Sequence, residues 1–159
     1  MEINFVDNFL NTAEHKMAHE YCASATYRVG ERDNQDTPPT GMVHEIKSHE
    51  FLYKLLVRKS EMAFPKLKKQ MLYRMYVNCF APGENPYFHI DGDEGTTLLY
   101  YPNLEWSIHE GGETQFYLED NIQAIIPRQN RMVIFDASIL HRATSFRTKH
   151  RYTIAIKYQ

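Results

Sequence analysis

The sequence predicts a mainly β protein with supporting α-helices, its strands arranged as a jelly roll. Three observations lead there. From Gln70 onward, short runs rich in Tyr, Phe, Ile and Val alternate with Gly, Pro and Asn turns. Before that point, two stretches carry polar and apolar residues in helical patterns. The 11 Tyr and 9 Phe supply the bulky side chains that strands favour. A single domain spanning residues 1–159 is expected, with 1–69 as a strand-and-helix support and 70–159 as the β core. That length buries a core without metal or disulfide staples.

In chain order, Glu2 to Phe9 reads as a strand with Ile3 and Phe5 alternating. Asn11-Thr-Ala-Glu14 has the form of an N-cap with a carboxylate three residues later, opening a helix to about Cys22. Ala23 to Val29 reads as a strand. Gly30 to Gly41 is a polar loop without periodicity, long enough to act as a flexible lid. A second helix runs from about Ser48 to Ala63, its stripe of Phe51, Leu52, Leu55, Leu56 and Met62 packing on the outside of the barrel, and Pro65 stops it. The strands of the core are Gln70 to Phe80, Tyr87 to Asp91, Thr96 to Tyr101, Glu113 to Leu118, Ala124 to Ile126, Arg131 to Phe135, Ala143 to Phe146 and Arg151 to Tyr158.

Within this frame His89-Ile-Asp91 stands out. Side chains alternate across a strand, so His89 and Asp91 share a face and Ile90 points away. A third ligand from a distant strand would complete a metal site, and His141 follows the apolar run Met132 to Phe135 after an Asp136-Ala-Ser138 turn. Two imidazoles and one carboxylate are the donor set that holds non-haem Fe(II) while leaving positions open for substrate and oxygen. Ten residues beyond His141, Arg151 opens the last strand and shares a face with Thr153 and Ala155. A guanidinium grips a carboxylate through two parallel hydrogen bonds, and the Thr153 hydroxyl can add a third.

His89, Asp91, His141 and Arg151 together resemble the signature of Fe(II)- and 2-oxoglutarate-dependent dioxygenases, whose catalytic domain is a double-stranded β-helix, the cupin-like jelly roll. Between them, Leu99-Tyr-Tyr-Pro-Asn103, Trp106 and Gly111-Gly-Glu-Thr-Gln-Phe-Tyr117 resemble the prolyl 4-hydroxylase branch; the likeness covers roughly residues 70 to 159. The resemblance implies Fe(II), 2-oxoglutarate and O2 as cofactor and cosubstrates, and hydroxylation of an aliphatic C–H bond, with a proline in a peptide or protein as the expected substrate. It also implies that Tyr101 hydrogen-bonds the distal carboxylate of 2-oxoglutarate. Phe80 stands where that branch often carries a tyrosine, so one polar contact is missing or is supplied by Asn78 or Tyr76. Arginine at 151, where collagen-type enzymes use lysine, is nearer the hypoxia-sensing pattern.

Other readings compete. A small-molecule or nucleic-acid oxygenase would use the same centre, since one barrel serves many substrates. A halogenase would lack Asp91, a zinc hydrolase would leave Arg151 unexplained, and a non-catalytic cupin-like binding module would not need all three ligands and the arginine. The net charge of −2 argues against non-specific nucleic-acid binding. Seven Lys or Arg against Asp136 alone in residues 128–159 imply one cation for a dianionic cosubstrate and solvated faces for the rest. His15 and His19 lie four apart with Cys22 beyond, a zinc-like spacing on what is expected to be an exposed helix face, and Asp91 to Gly95 is expected to be a turn rather than a calcium loop. Trp106 is expected to pack at the sheet edge. Residues 1 to 20 lack the apolar core of a signal peptide and no stretch is long enough for a membrane helix. Two cysteines form no disulfide framework, and a cytoplasmic protein is expected.

Overall fold

The computed structural model describes residues 3–159; Glu2, the expected first residue of the first strand, lies outside the described residues. Two antiparallel sheets face each other. The larger has six strands in the order β1-β7-β4-β9-β3-β2, formed by β1 (Asn4–Val6), β2 (Met42–Glu45), β3 (Leu72–Phe80), β4 (Thr96–Tyr100), β7 (Met132–Asp136) and β9 (Arg151–Tyr158). The smaller has the order β6-β5-β8, formed by β5 (Thr114–Leu118), β6 (Asn121–Ile125) and β8 (His141–Ala143). From β6 onward successive strands alternate between the two sheets, the crossing pattern of a double-stranded β-helix.

Period-two alternation divides the core into two layers. Met75, Val77, Leu98, Tyr100, Met132, Ile134, Ile154 and Ile156 face the helices, where Ala18, Cys22, Leu52 and Leu56 meet them. The alternate residues Tyr76, Leu99, Val133, Phe135 and Ala155 face Phe116 and Ile125 of the small sheet. The central strands are therefore apolar on both faces, which makes them read as near-continuous hydrophobic runs.

Helix α1 (Thr12–Ser24) starts at the expected capping box: the Asn11 side chain accepts from the Glu14 amide and the Glu14 carboxylate from the Asn11 amide, each at 2.9 Å. Helix α2 (Phe51–Ala63) begins three residues later than expected, and its buried face is Leu52, Leu56 and Ser60. Phe51 and Met62 are exposed, because only residues four apart along one stripe reach the sheet. Pro65 ends α2 and opens a 3-10 turn, Pro65–Lys69, that buries Leu67.

Several expected strands differ. Ala23 to Val29 is not a strand: α1 runs on to Ser24 because Cys22 is packed in the core, and only Arg28 bridges to Val43. Its partner β2 is a four-residue edge strand, too short to show a period. Tyr87 to Asp91 is extended but pairs only through His89, opposite His141. The expected strand Ala143 to Phe146 is instead His141–Ala143, so that His141 opens it, and β6 starts at Asn121 rather than Ala124. Ile122 is exposed there, so the edge strand lacks the apolar signal that would mark its start.

No described helix is long and apolar enough to cross a membrane. One glycine governs entry to β4. Gly95 has φ +104°, and a Cβ on it would lie 2.2 Å from the Tyr158 carbonyl oxygen. Gly95→Ala is expected to lower stability by roughly 2 kcal/mol or more, read as a shift in the urea midpoint at unchanged m-value.

Candidate active site

Strand β8 carries His141, and a single bridge to it holds His89. His89 and His141 exchange backbone hydrogen bonds, His89 N to His141 O at 3.0 Å and His141 N to His89 O at 2.9 Å, which brings their rings to 4.5 Å between centroids. Asp91 is set by the turn after β7, its amide donating to Ala137 O at 2.9 Å. The ligand atoms of His89, Asp91 and His141 all lie within 4.8 Å of one another, and no other group of three His, Cys, Asp or Glu side chains does so among the described residues.

The ring orientations suit a metal. His89 Nδ1 lies 3.1 Å from Tyr87 O and His141 Nδ1 2.8 Å from Ile139 O. A carbonyl only accepts, so each Nδ1 carries the proton and each Nε2 presents a lone pair, at 3.7 Å from an Asp91 oxygen. The Asp91 oxygens are held by the Thr97 hydroxyl at 2.7 Å and the Lys157 ammonium at 2.8 Å.

Burial of the His141 ring is the largest influence on it and pushes its pKa down to about 4, against the pull of Asp91. Burial alone would raise the Asp91 carboxyl, but His141, Lys157 and Thr97 together hold it below its usual value. Of these groups Lys157 brings a full positive charge near pH 7, where burial keeps the His141 ring neutral. Lys157 stays protonated because Tyr76 and Asp91 outweigh the lowering effect of burial.

Beyond the triad, a cleft of about 260 Å³ is lined by Tyr76, Asn78, Thr114, Arg151, Thr153 and Lys157 together with the three triad residues. Arg151 is 1% exposed. Its Nε donates to Gly112 O at 2.8 Å, one terminal nitrogen to Thr114 Oγ1 at 2.9 Å and the other to Thr153 Oγ1 at 3.4 Å. No carboxylate lies within 4 Å of it among the described residues, and burial lowers its pKa against the opposing pull of Tyr101 and Glu113. The Tyr101 hydroxyl is 2.8 Å from Thr114 Oγ1, behind the cleft wall. The Gly-Gly-Glu-Thr block thus shapes the seat of Arg151. Gly112 has φ +78°, and a Cβ there would meet Trp106 at 3.0 Å and Arg151 at 3.3 Å. Trp106 packs as expected, against Phe146 and with its Nε1 on Gly111 O at 2.9 Å.

The expectation for the C-terminal cations needs correction. They are not all solvated: Arg131 pairs with Asp7 at 2.7 Å, and the largely buried Lys157 pairs with Asp91. Lys157 continues the alternation of Arg151, Thr153 and Ala155, a signal that the strand pattern contained. Thr97 and Asp33 gave no such signal. Asp33, in the 30–41 loop, accepts from the Tyr87 amide and the Thr40 hydroxyl at 2.8 Å and lies 3.4 Å from His89 Nδ1. The loop is therefore pinned beside the triad. His15 and His19 are half-buried rather than exposed, His15 Nε2 lying 3.2 Å from Pro102 O, because this face of α1 packs on the sheet.

Residues 75–158, more than half of the chain, match the family model described as the 2OG-Fe(II) oxygenase superfamily. The chain belongs to this superfamily. The oxygenase accordingly uses Fe(II), with 2-oxoglutarate and O2 as cosubstrates. A comparison with curated proteins found no match. Among solved structures, it is similar to a prolyl hydroxylase from Trichoplax adhaerens in complex with a hypoxia inducible factor oxygen degradation domain peptide fragment, with a TM-score of 0.80 and 20% identity over 98% of this chain and 82% of that one. A Pseudomonas putida prolyl-4-hydroxylase gives a TM-score of 0.80 at 14% identity, over 99% and 92%. The viral collagen prolyl hydroxylase of Paramecium Bursaria Chlorella virus-1, in its 2-oxoglutarate complex, gives 0.76 at 16%, over 99% and 95%. These likenesses establish the double-stranded β-helix fold.

The depressed pKa of His141 makes the metal-free oxygenase pH-sensitive. Its ring binds a proton near pH 4 when folded and near 6.5 when unfolded, so the stability present above pH 6.5 is lost as pH falls toward 4. The full loss is about 3 kcal/mol. His141→Gln should flatten the slope of unfolding free energy in that window, measured by urea titration from pH 7 to pH 4.

Proposed function

We propose that this oxygenase hydroxylates a proline within a peptide or protein, with His89, Asp91 and His141 as the iron ligands and Arg151 as the anchor of 2-oxoglutarate. The observation that carries the cosubstrate assignment is the unpaired charge of Arg151. Its three hydrogen bonds to neutral oxygens leave one N–H on each terminal nitrogen, the pair that a carboxylate takes bidentately. A buried cation without an acid calls for an anionic ligand.

Bound iron supplies the centre at which O2 is reduced while 2-oxoglutarate is decarboxylated to succinate and carbon dioxide, one oxygen atom going to the substrate C–H bond. The chain's own part is placement. Thr97 and Lys157 hold Asp91, the two carbonyls fix the imidazole tautomers, and Arg151 with Thr153 sets the far end of the cosubstrate. Thr114 transmits the Tyr101 hydroxyl to Arg151, while Tyr76 and Asn78 give the cleft polar edges beside Ala155 and Thr153. Leu99 and Ala155 form an apolar wall that excludes water.

The proline assignment is supported by the fold, shared with prolyl hydroxylases of which one holds a peptide. Exposed Tyr87 and Ile90 flank His89, offering contact surface to an extended chain. The reducing environment suited to two free buried cysteines supports a cytoplasmic site of action. One observation favours a second reading, a small polar metabolite. Arg32 lies at the cleft mouth with one hydrogen bond, to Thr37 O at 2.6 Å, and could clamp a substrate carboxylate.

Anaerobic reconstitution with Fe(II) and 2-oxoglutarate, followed by air and a substrate panel, separates the two. Proline-containing peptides should stimulate succinate formation and gain one oxygen on proline by mass spectrometry, whereas free proline should not. Stimulation by small metabolites or nucleic acid alone would overturn the peptide assignment. His141→Ala should abolish turnover in a folded protein, and normal iron binding with normal succinate formation would remove it from the ligand set. Arg151→Lys should raise the 2-oxoglutarate KM and Arg151→Ala should raise it further, by roughly 10- to 100-fold for the loss of about 1.5–3 kcal/mol of charged hydrogen bonding. An unchanged KM in both would exclude Arg151 from the site.

A further inference from the structure

The inner face of β9 carries a charge whose consequence goes beyond holding Asp91 in place. Lys157 is largely buried, with its side chain 11% exposed, and its ammonium sits 2.8 Å from Asp91 Oδ1 and 5.2 Å from the Tyr76 ring centroid. The other Asp91 oxygen is already fixed by the Thr97 hydroxyl at 2.7 Å. Thr97 therefore supplies orientation, and what Lys157 adds is charge. The triad brings one negative charge, on Asp91, and Lys157 cancels it. A divalent ion entering the triad meets a carboxylate whose charge is already offset, with an ammonium beside one of its own ligands.

We propose that Lys157 is a charge-setting positioning residue that weakens binding of the divalent metal and strengthens binding of the dianionic cosubstrate that follows. The inference rests on the ligand assignment above. Once the metal is in place, the centre holds the dication and the ammonium against one carboxylate, and that surplus of positive charge lies in the same cleft as Arg151. A unit charge a few ångströms from a dication is repelled strongly even at the effective dielectric of a protein interior, and the same charge attracts a carboxylate arriving at the metal. Neutralising position 157 must therefore move the two affinities in opposite directions. A side chain that served only packing would lower both together.

Calorimetric titration tests this without turnover. Metal-free protein is titrated with Mn(II) alone, and Mn(II)-loaded protein with 2-oxoglutarate, for the wild type and for Lys157→Met, Lys157→Gln and Lys157→Arg. Lys157→Gln removes the charge while keeping a polar N–H donor at the end of the side chain, so it carries the comparison even where the Met variant fails to fold. The Gln and Met variants should bind Mn(II) about ten-fold tighter and 2-oxoglutarate about ten-fold more weakly, with Lys157→Arg close to the wild type in both. Affinities that fall together, or that do not move in Lys157→Gln, overturn the proposal while leaving the ligand set standing. Mn(II) binding to His141→Ala as tight as to the wild type would instead overturn the ligand set, and the proposal with it.

Discussion

The site depends on the registry of one strand. β9 lies between β3 and β4, paired with both, and its two faces do unrelated work. Ile154, Ile156 and Tyr158 bind the helices to the sheet, while Arg151, Thr153, Ala155 and Lys157 line the cleft. A slip of one residue would drive Arg151 into the apolar layer and turn Ile154 and Ile156 toward the triad, so the register is enforced by burial on both sides at once. Fold stability and site geometry are thus one constraint. The helices, although they contribute nothing to the triad, hold the cleft-facing residues in place by holding the residues between them.

That constraint explains which features were legible in the sequence. His89, Asp91, Arg151 and Thr153 could be placed because strand alternation needs only local spacing, and the capping box at Asn11 and Glu14 is equally local. The pairing that joins His89 to His141 is a single reciprocal bridge across 141 − 89 = 52 residues, and neither flanking segment has the length or alternation to announce it. For the same reason the strand at His141 was expected two residues late. The error over Ala23 to Val29 is of another kind: its β-branched and aromatic residues suit a strand, but packing of Cys22 against the sheet extends the helix. Asp33 and Thr97 gained their places through long-range contacts, for which composition carries no trace.

Charge pairing separates structural cations from the candidate site. Arg74 is satisfied by Glu31 at 2.7 Å and Glu45 at 2.6 Å, and Arg131 by Asp7 at 2.7 Å. Those groups are only partly buried, where such pairs contribute modestly. Arg151 is more deeply buried than any of them and has only neutral oxygens around it. Leaving a guanidinium in that condition destabilises the empty protein relative to an apolar replacement of similar size, and the arrangement makes physical sense if an anion completes it. Stability forgone at an unpaired charge is a common mark of a site built for a ligand.

The loop at residues 30–41 lies both at the cleft mouth and against a proposed metal ligand, His89. Asp33 binds the Tyr87 amide and lies beside His89 Nδ1, while Asn34 donates to Phe88 O at 2.9 Å, so the extended segment carrying His89 is braced from one side by β8 and from the other by this loop. A segment held by a single bridge in the sheet has little rigidity of its own, and the loop supplies the missing half. Residues Arg32 and Asp33 are at the same time part of the cleft mouth. Anything that displaces the loop on binding must therefore also change how firmly His89 is held, whereas a substrate that enters without displacing it meets a triad already braced. An element at the cleft mouth is also the element that steadies a proposed ligand, so a molecule that pressed on the loop would act on His89 through it.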